Sequence, residues 1–337
     1  MAGREEAESR ELLRLMVGPW LAEAVAAAVR LGVVDRLGAG PAGAGELAGA
    51  LDLDPESLGR LLRLLTALGL LEEERPDRFR LAPTGELLHS DHPSSMRDLA
   101  LLYRSDFFIS AWRGLSEAVR TGEQAFAAVH GRDVYTYLDE HPGDAGLFDA
   151  GMAVGGSFAE GLPDAYDFAA ESRVADIGGG DGSLLAELLR RHPRMHGLLQ
   201  ERPQVLAGAR ERLAPYVDEG RCTLLDGDFR DSVPAEADVY LLCRVLHNWD
   251  DDSCARILAN CAAAMSPRSR LLIVERIIPD GRHPWLSRAF DVHMMVMTSG
   301  RERTAGEYEA LLRPVGLRTQ ELRELSAEMR VLVAAPV

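Results

Sequence analysis

A run of acidic and glycine residues near the middle of the chain has the spacing of a ligand-binding turn. The sequence ADIGGGDGSLL, residues 175–185, places Asp176 in an apolar stretch and follows it with glycines at positions 178, 179, 180 and 182. Glycines after a strand let a ligand approach the backbone, because a Cβ atom would occupy the same space. We therefore expect a cofactor at this turn.

The spacing of this turn discriminates between two cofactors. The dinucleotide fingerprint G-x-G-x-x-G is matched only in part, because Ser183 stands at its third position. The pattern D-x-G-x-G-x-G is matched in full by Asp176, Gly178, Gly180 and Gly182. Acids beside the turn disfavour a pyrophosphate, but they suit S-adenosylmethionine, which presents an amino acid, a sulfonium and a ribose. The turn predicts S-adenosylmethionine as the cofactor.

Acidic residues also end the next two predicted strands. Glu201 lies 23 residues beyond Gly178, where a carboxylate can accept hydrogen bonds from both ribose hydroxyls. Asp228 can reach an adenine amine, and the ring of Phe229 can pack on the base. The alternative is that these acids only cap helices, but their positions at consecutive strand ends favour cofactor binding.

The sequence CRVLHNWDDDSCARIL, residues 243–258, places a histidine after a fourth predicted strand. Open α/β sheets bind their ligands at this edge, and the ordinary pKa of histidine suits a general base. We therefore predict His247 as the base, although a lone histidine is more often structural. Asp250 and Asp251 are predicted to cap the following helix, and the segment offers no convincing metal-binding set.

The elements that position these residues form a predicted parallel α/β sheet. Apolar runs predict strands at 173–177, 196–200, 222–226, 237–243 and 270–277, and the helical pattern predicts helices around 183–192, 203–213, 251–265 and 304–314. Because the carboxyl ends of parallel strands share one edge, the candidate residues converge there.

The first hundred residues have a different pattern. Leucines at 58, 61, 62, 65 and 68 lie on one face of a predicted helix that has Asp54 as N-cap and Pro55 at its first position. Two short strands around RPDR, residues 75–78, complete a helical, winged-helix-like region. This region contains 11 Arg against 17 Asp and Glu, so it would bind phosphates poorly. We therefore predict a dimerisation module rather than a DNA-binding domain.

Length and composition predict a two-domain cytoplasmic protein. The 337 residues divide into a dimerisation domain, 1–98, and a catalytic domain, 99–337, with bridging helices in 99–165. The net charge of −16 argues against nucleic acid, and no apolar run or basic leader indicates a membrane or secretion. The four cysteines form no C-x-x-C pair, so neither disulfides nor structural zinc are expected.

Several motifs together resemble the S-adenosylmethionine-dependent O-methyltransferases of the plant caffeate type and their bacterial natural-product relatives. The winged-helix-like region at the N-terminus is followed in order by DIGGGDGSLL, GDF, VLHNWDDDSCARIL, LLIVERIIP and GRERTAGEYEALL. The resemblance covers nearly the whole chain. It implies a Rossmann-like methyltransferase sheet, a homodimer, and methylation of a small acceptor with no metal and no nucleic acid.

The resemblance also implies roles for individual residues. His247 matches the family's general base, and Glu275 and Glu302 match the two carboxylates that orient it. The cofactor positions of the family fall on Gly178, Glu201, Asp228, Phe229, Cys243 and Trp249. Three residues depart from the family's commoner choices: Glu201 replaces Asp, Asn248 replaces Asp, and Cys243 replaces the Lys that is frequent in plant members.

The acceptor is expected to be a flat aromatic or polyketide-like molecule. Phe107, Phe108 and Trp112 suggest this from their residue types, although each could simply belong to the core. By resemblance, Phe148 and Met152 lie on the helix that closes the pocket, and Met294 and Met297 lie on a segment that faces the acceptor. The alternatives are a relative that has been diverted to hydroxylation or decarboxylation and a winged-helix transcriptional regulator.

Overall fold

The computed structural model describes residues 2–156, 161–279, 281, 284–326 and 328–337, so residues 157–160 of the predicted bridging segment lie outside it. Its helices are α1 Ala2–Met16, α2 Gly18–Arg30, α3 Val33–Gly38, α4 Ala44–Leu51, α5 Pro55–Ala67, α6 Pro83–Glu86, α7 Arg97–Leu102, α8 Asp106–Arg113, α9 Leu115–Thr121, α10 Ala125–His130, α11 Val134–Glu140, α12 Pro142–Gly156, α13 Leu162–Ala165, α14 Ser183–Arg191, α15 Pro203–Asp218, α16 Asp251–Ala264, α17 Trp285–Met297 and α18 Ala305–Leu312. Its strands are β1 Ala42–Gly43, β2 Leu71–Arg75, β3 Arg78–Leu81, β4 Arg173–Ile177, β5 His196–Glu201, β6 Cys222–Asp226, β7 Val239–Cys243, β8 Arg270–Glu275, β9 Leu317–Glu324 and β10 Arg330–Pro336.

The chain forms two compact units, one of residues 1–109 and 146–154, the other of residues 110–145 and 155–337. The sequence-based boundary lies at 98/99, whereas the structure divides the predicted bridging helices between the units. α8 spans one division point and α12 spans two.

The first unit combines helices with a small sheet in the order β1-β3-β2. The side chain of Asp54 accepts a hydrogen bond of 2.8 Å from the Ser57 N–H, which caps α5 as its sequence predicts. Leu58, Leu62 and Leu65 of α5 are buried, and burial of each such side chain contributes about 1.5–3 kcal/mol. The predicted helix and hairpin of this region are confirmed.

The second unit contains a seven-stranded sheet in the order β6-β5-β4-β7-β8-β10-β9. Strands β4 to β8 are parallel, and most of their interior positions are apolar because helices cover the sheet on both faces. The carboxyl ends of these five strands therefore lie along one edge. This arrangement confirms the predicted Rossmann-like methyltransferase fold with a mostly helical N-terminal region.

The five predicted strands are parallel as expected, but two strands that the sequence analysis did not predict extend the sheet. β10 pairs antiparallel with both β8 and β9, so the sheet is mixed. Strand β9 reads LRTQELRE, and most of its side chains are exposed or half-buried, so it lacks the apolar run that would identify a strand.

No single helix among the described residues is long and apolar enough to cross a membrane. By length and composition alone, the two helical segments Glu5–Met16 and Gly18–Arg30 together would be long and apolar enough, although the chain bends between them.

Candidate active site

The glycine turn that follows β4 has a backbone that side chains rarely allow. Gly178, Gly180 and Gly182 have φ angles of 70°, 59° and 72°, in the left-handed region that favours glycine. A Cβ on Gly178 would contact Phe229 and Val245 at 3.1 Å, and one on Gly182 would contact Leu213 at 2.7 Å. Packing within the protein accounts for these two residues.

Gly180 differs from its neighbours because a Cβ there would meet no protein atom within 4 Å. The position therefore faces open space at the carboxyl edge of the sheet. A turn whose backbone faces open space at this edge fits a bound cofactor. Larger side chains at Gly180 would project into that space.

Asp176 lies beneath the glycine turn. Its side chain is almost fully buried, and a Cβ on Gly179 would lie 2.3 Å from its Oδ2 atom. Burial, together with the charges of Glu201 and Asp181, raises the pKa of Asp176 to about 7. This concentration of acids fits a cationic ligand better than a pyrophosphate.

Glu201 ends β5 beside the same turn. Its Oε2 atom accepts a hydrogen bond of 3.2 Å from the Gly180 N–H, and its Oε1 atom accepts one of 2.8 Å from the Arg202 N–H. The structure thus brings the predicted ribose-binding carboxylate to the predicted cofactor turn.

Aromatic and charged side chains cluster beyond β6. Arg230 donates to both carboxylate oxygens of Asp228, and its guanidinium lies 4.5 Å from the centre of the Trp249 ring. The Phe229 ring packs edge-on against Trp249 at 6.1 Å, and Tyr135 stacks on Trp249 at 6.3 Å. Three predicted cofactor residues, Asp228, Phe229 and Trp249, therefore lie in one cluster.

Cys243 is the last residue of β7 and is half-buried. Burial, with a smaller contribution from the charge of Asp176, raises the pKa of its thiol well above the ordinary range. The thiol is therefore uncharged at physiological pH and supplies an apolar contact at this edge.

His247 lies in a short 3-10 turn, Leu246–Asn248, that follows β7. Its Nδ1 atom is 3.0 Å from Oε1 of Glu302 and 3.5 Å from Oε2 of Glu275, and all three side chains are buried. The backbone N–H of His247 also donates to Oε1 of Glu275 at 3.3 Å. A proton on Nδ1 can donate to Oε1 of Glu302, which leaves the lone pair on Nε2.

The surroundings make His247 a stronger base than an exposed histidine. Burial alone would lower the pKa of His247, but the charges of Glu275 and Glu302 and the hydrogen bond to Glu302 outweigh burial and raise it. Burial raises the pKa of Glu275, and the charge of His247 opposes that rise. The imidazolium that forms on proton uptake is therefore stabilised by adjacent carboxylates.

One atom from each of His247, Glu275 and Glu302 lies within 4.8 Å of the others, a spacing at which they could also hold a metal ion. The hydrogen bond between Nδ1 and Glu302 and the bond from the His247 N–H to Glu275 account for this spacing.

The two acids that follow the histidine turn have different partners. Asp250 caps α16 by accepting a hydrogen bond of 2.7 Å from the Ser253 N–H, as predicted. Asp251 does not cap the helix, because its carboxylate binds Arg303 and Arg301 instead. Only one residue can occupy the N-cap, and Asp250 has the extended backbone that the cap requires. The Asn248 amide donates to the Arg244 carbonyl at 3.0 Å and closes the turn.

The predicted acceptor residues fall in both compact units. Phe108 is buried in the first unit against Tyr103 and Phe107, and Phe148 and Met152 are half-buried on α12 in the same unit. In the second unit, Trp112 stacks on His293 at 6.0 Å, and Met294 and Met297 are buried on α17. Each unit therefore gathers part of the predicted set.

Three residues near the site were not predicted from the sequence. Tyr135 and Arg230 join the cluster around Trp249, and His293 stacks on Trp112. Burial, with the positive charges of His247, Arg244 and Arg276, lowers the pKa of His293 to about 3 and keeps it neutral. Of these three residues, only Arg230 could have been found from the sequence, because it lies two residues after the predicted cofactor residue Asp228.

The chain matches two known domain families. Residues 112–318 match the O-methyltransferase domain, and residues 13–91 match the O-methyltransferase dimerisation domain. The chain is an O-methyltransferase of this family. As a member of the family, this methyltransferase uses S-adenosylmethionine as its methyl donor.

Individual relatives resemble the methyltransferase over nearly its whole length. A 3-amino-4-hydroxybenzoate 4-O-methyltransferase from Streptomyces cremeus is 38% identical, with 96% of this chain and 89% of the relative covered. The aclacinomycin 10-hydroxylase RdmB of Streptomyces purpurascens is also 38% identical, over 87% of this chain and 79% of its own. The solved structure of the mitomycin 7-O-methyltransferase MmcR is 35% identical, covers 100% of both chains and has a TM-score of 0.90.

Proposed function

We propose that this methyltransferase methylates a phenolic hydroxyl of a small aromatic or polyketide-type metabolite, with His247 as its general base. The observation that carries the proposal is the position of His247, whose Nδ1 atom faces Glu302 at 3.0 Å and Glu275 at 3.5 Å. The turn that bears it follows β7, at the same sheet edge as the glycine turn after β4.

The residues of the cofactor turn would hold S-adenosylmethionine through distinct contacts. Glu201 would accept hydrogen bonds from the ribose, and the cluster of Phe229, Trp249 and Asp228 would receive the adenine. Asp176 would not touch the cofactor directly, since it is almost fully buried, and the positive sulfonium would lower its raised pKa and favour the carboxylate form.

Bound S-adenosylmethionine supplies a methyl group on a sulfonium, whose S–CH₃ bond breaks as the O–CH₃ bond forms, leaving neutral S-adenosylhomocysteine. His247 takes the hydroxyl proton on Nε2, and Glu302 and Glu275 stabilise the imidazolium. A positioned base contributes roughly 10²- to 10⁴-fold to the rate. The remaining task of the protein is to align the reacting atoms and exclude water.

A panel of phenols incubated with methyl-labelled S-adenosylmethionine tests the proposal. We expect label in the ether of at least one flat aromatic phenol and none with the corresponding methyl ether as acceptor. Label on an amine or carbon of every accepted molecule, or none on any phenol at high enzyme concentration, would contradict O-methylation of a phenol.

Hydroxylation is the second candidate, because one relative is named a 10-hydroxylase. The buried base and its two carboxylates favour methylation, since they supply the proton acceptor that a methyl transfer to oxygen needs. Mass spectrometry separates the two outcomes: methylation adds one CH₂ to the acceptor, and hydroxylation adds one oxygen.

The assembly is proposed to be a homodimer in the cytoplasm, built through the domain at residues 13–91. Leu12, Met16 and Trp20 are large apolar side chains that are exposed on α1 and α2. A second copy of the chain would cover them. Sedimentation at micromolar concentration should give twice the chain mass, and a compact monomer would contradict the proposal.

The mechanism needs no metal at His247. Extensive dialysis against a chelator should therefore leave turnover unchanged. A loss of turnover that one divalent metal restores would instead assign a metal to His247, Glu275 and Glu302.

A further inference from the structure

The segment Gly300–Thr304, which we call the docking segment, packs against the turn that carries His247. A Cβ on Gly300 would lie 1.9 Å from the carbonyl oxygen of His247 and 2.6 Å from the backbone nitrogen of Trp249. The two backbones therefore touch, and only glycine fits at this position. Even alanine would push the histidine turn away from its present place.

Arg303 holds both ends of the same turn. Its guanidinium donates to the Leu246 carbonyl at 3.1 Å and to the Trp249 carbonyl at 2.8 Å, one on each side of His247. The same guanidinium binds Oδ1 of Asp251 at 2.7 and 3.0 Å. Its side chain is fully buried, so its loss would leave the Leu246 and Trp249 carbonyls without these donors.

The docking segment is itself fixed to the sheet and to α17. The Ile278 N–H donates to the Arg303 carbonyl at 2.9 Å, which ties the segment to the chain that leaves β8. The Glu302 N–H donates to Oδ1 of Asp291 on α17 at 3.2 Å. A fixed segment that contacts both the backbone and the ring of His247 can set where Nε2 points.

We propose that Gly300 and Arg303 are positioning residues that place the backbone of the histidine turn, while Glu302 orients the ring. The inference rests on the proposed role of His247 as the base. It adds that the angle of the base toward the acceptor hydroxyl is set by contacts from a segment more than 50 residues away in sequence.

Arg303→Lys is the first variant, because one ammonium cannot reach two carbonyls and a carboxylate together. Gly300→Ala is the second, because it displaces the turn without removing a charge. Misplacement of a catalytic group by about 1 Å costs roughly 10²-fold, so we expect kcat to fall by about 10²-fold in each. Affinity for S-adenosylmethionine, measured by calorimetry, should fall much less than kcat, because the variants displace Trp249 but leave the glycine turn, Glu201 and Asp228 in place.

Arg301→Ala is the matched control. Arg301 lies in the same segment and binds the other oxygen of Asp251 at 2.6 Å, but its side chain is about half exposed, and this bond reaches neither the Leu246 nor the Trp249 carbonyl. We expect turnover close to that of the wild type. The comparison separates contact with the histidine turn from a general effect of mutating the segment.

Two phenols of different acidity distinguish positioning from mere folding support. A misplaced base harms the less acidic phenol more, because that phenol depends more on proton removal. We expect the loss in Arg303→Lys and Gly300→Ala to be several-fold larger for the less acidic phenol. An equal loss for both phenols, a parallel loss of cofactor binding, or wild-type turnover in both variants would overturn the inference.

His247→Ala is measured in parallel so that the two proposals can fail separately. If His247→Ala keeps full turnover, the proposed base is wrong. If it is inactive while Arg303→Lys and Gly300→Ala match the wild type, the base stands and only the positioning role fails.

Discussion

The glycine turn after β4 and the histidine turn after β7 lie at the same edge of one sheet but are built in different ways. The conformation of the glycine turn comes from three glycines at positive φ between positions 178 and 182, and residues such as Glu201 and Leu213 pack around it. The histidine turn depends on Glu275, Glu302 and Arg303, which lie 28 to 57 residues away in sequence. We infer that the first turn governs binding and the second governs chemistry.

The largest expected effect is on chemistry at the histidine turn. His247→Ala should lower kcat by at least about 10²-fold and leave affinity for S-adenosylmethionine nearly unchanged, because the proposed cofactor contacts at the glycine turn, Glu201 and Asp228 do not involve the His247 side chain. Turnover should partly recover as the pH approaches the pKa of the acceptor itself. Turnover across pH with two phenols measures this recovery. A fully active variant with unchanged pH–rate profiles would show that His247 has only a structural role.

The corresponding experiment on cofactor binding is Gly180→Val at the glycine turn. A valine there would project into the space that the cofactor would fill and would be strained at a φ of 59°. We expect the dissociation constant for S-adenosylmethionine to rise by about 10²-fold or more, with the circular dichroism spectrum of the wild type. Gly208→Val on α15, whose Cβ also meets no protein atom within 4 Å, is the control for a bulky residue in open space. Normal cofactor affinity in Gly180→Val would break the division between the turns.

The two turns also differ in how far the sequence predicts them. Local patterns predict the glycine turn, the positions of the five strands and the capped helix α5, because glycine spacing, apolar runs and N-caps involve only neighbouring residues. The sequence places His247 at the sheet edge, but its contact with Glu302 follows only from the resemblance to a family. The close approach of Gly300 and the hydrogen bonds of Arg303 depend on how distant segments pack. Asp251 is an example, because its position before a helix predicts an N-cap, whereas in the structure its carboxylate binds the distant Arg303.

A smaller effect is expected from Glu302→Gln. The negative charge of Glu302 helps to raise the pKa of His247, so its removal should lower that pKa. Since the base must be neutral to accept a proton, the acid limb of the kcat profile should move to lower pH. The plateau should fall by about tenfold, because the imidazolium loses one stabilising charge while the amide oxygen can still accept the Nδ1 hydrogen bond. An acid limb that stays in place or moves to higher pH would contradict this account of the pKa.

The smallest effect is expected at Asp250, which caps α16 directly after the histidine turn. Asp250→Ala removes the hydrogen bond to the Ser253 N–H, and loss of such a cap costs about 1 kcal/mol of the free energy of unfolding. The turn itself should stay in place, because Arg303 still holds the Leu246 and Trp249 carbonyls and Gly300 still packs against it. Urea unfolding should therefore show the loss of stability, while kcat should remain within about twofold of the wild type.

Asp54→Ala, which removes the corresponding cap from α5 far along the chain, is the matched control and should lose a similar amount of stability. A fall in kcat of tenfold or more in Asp250→Ala, with Asp54→Ala fully active, would show that the start of α16 and not the docking segment determines where His247 lies.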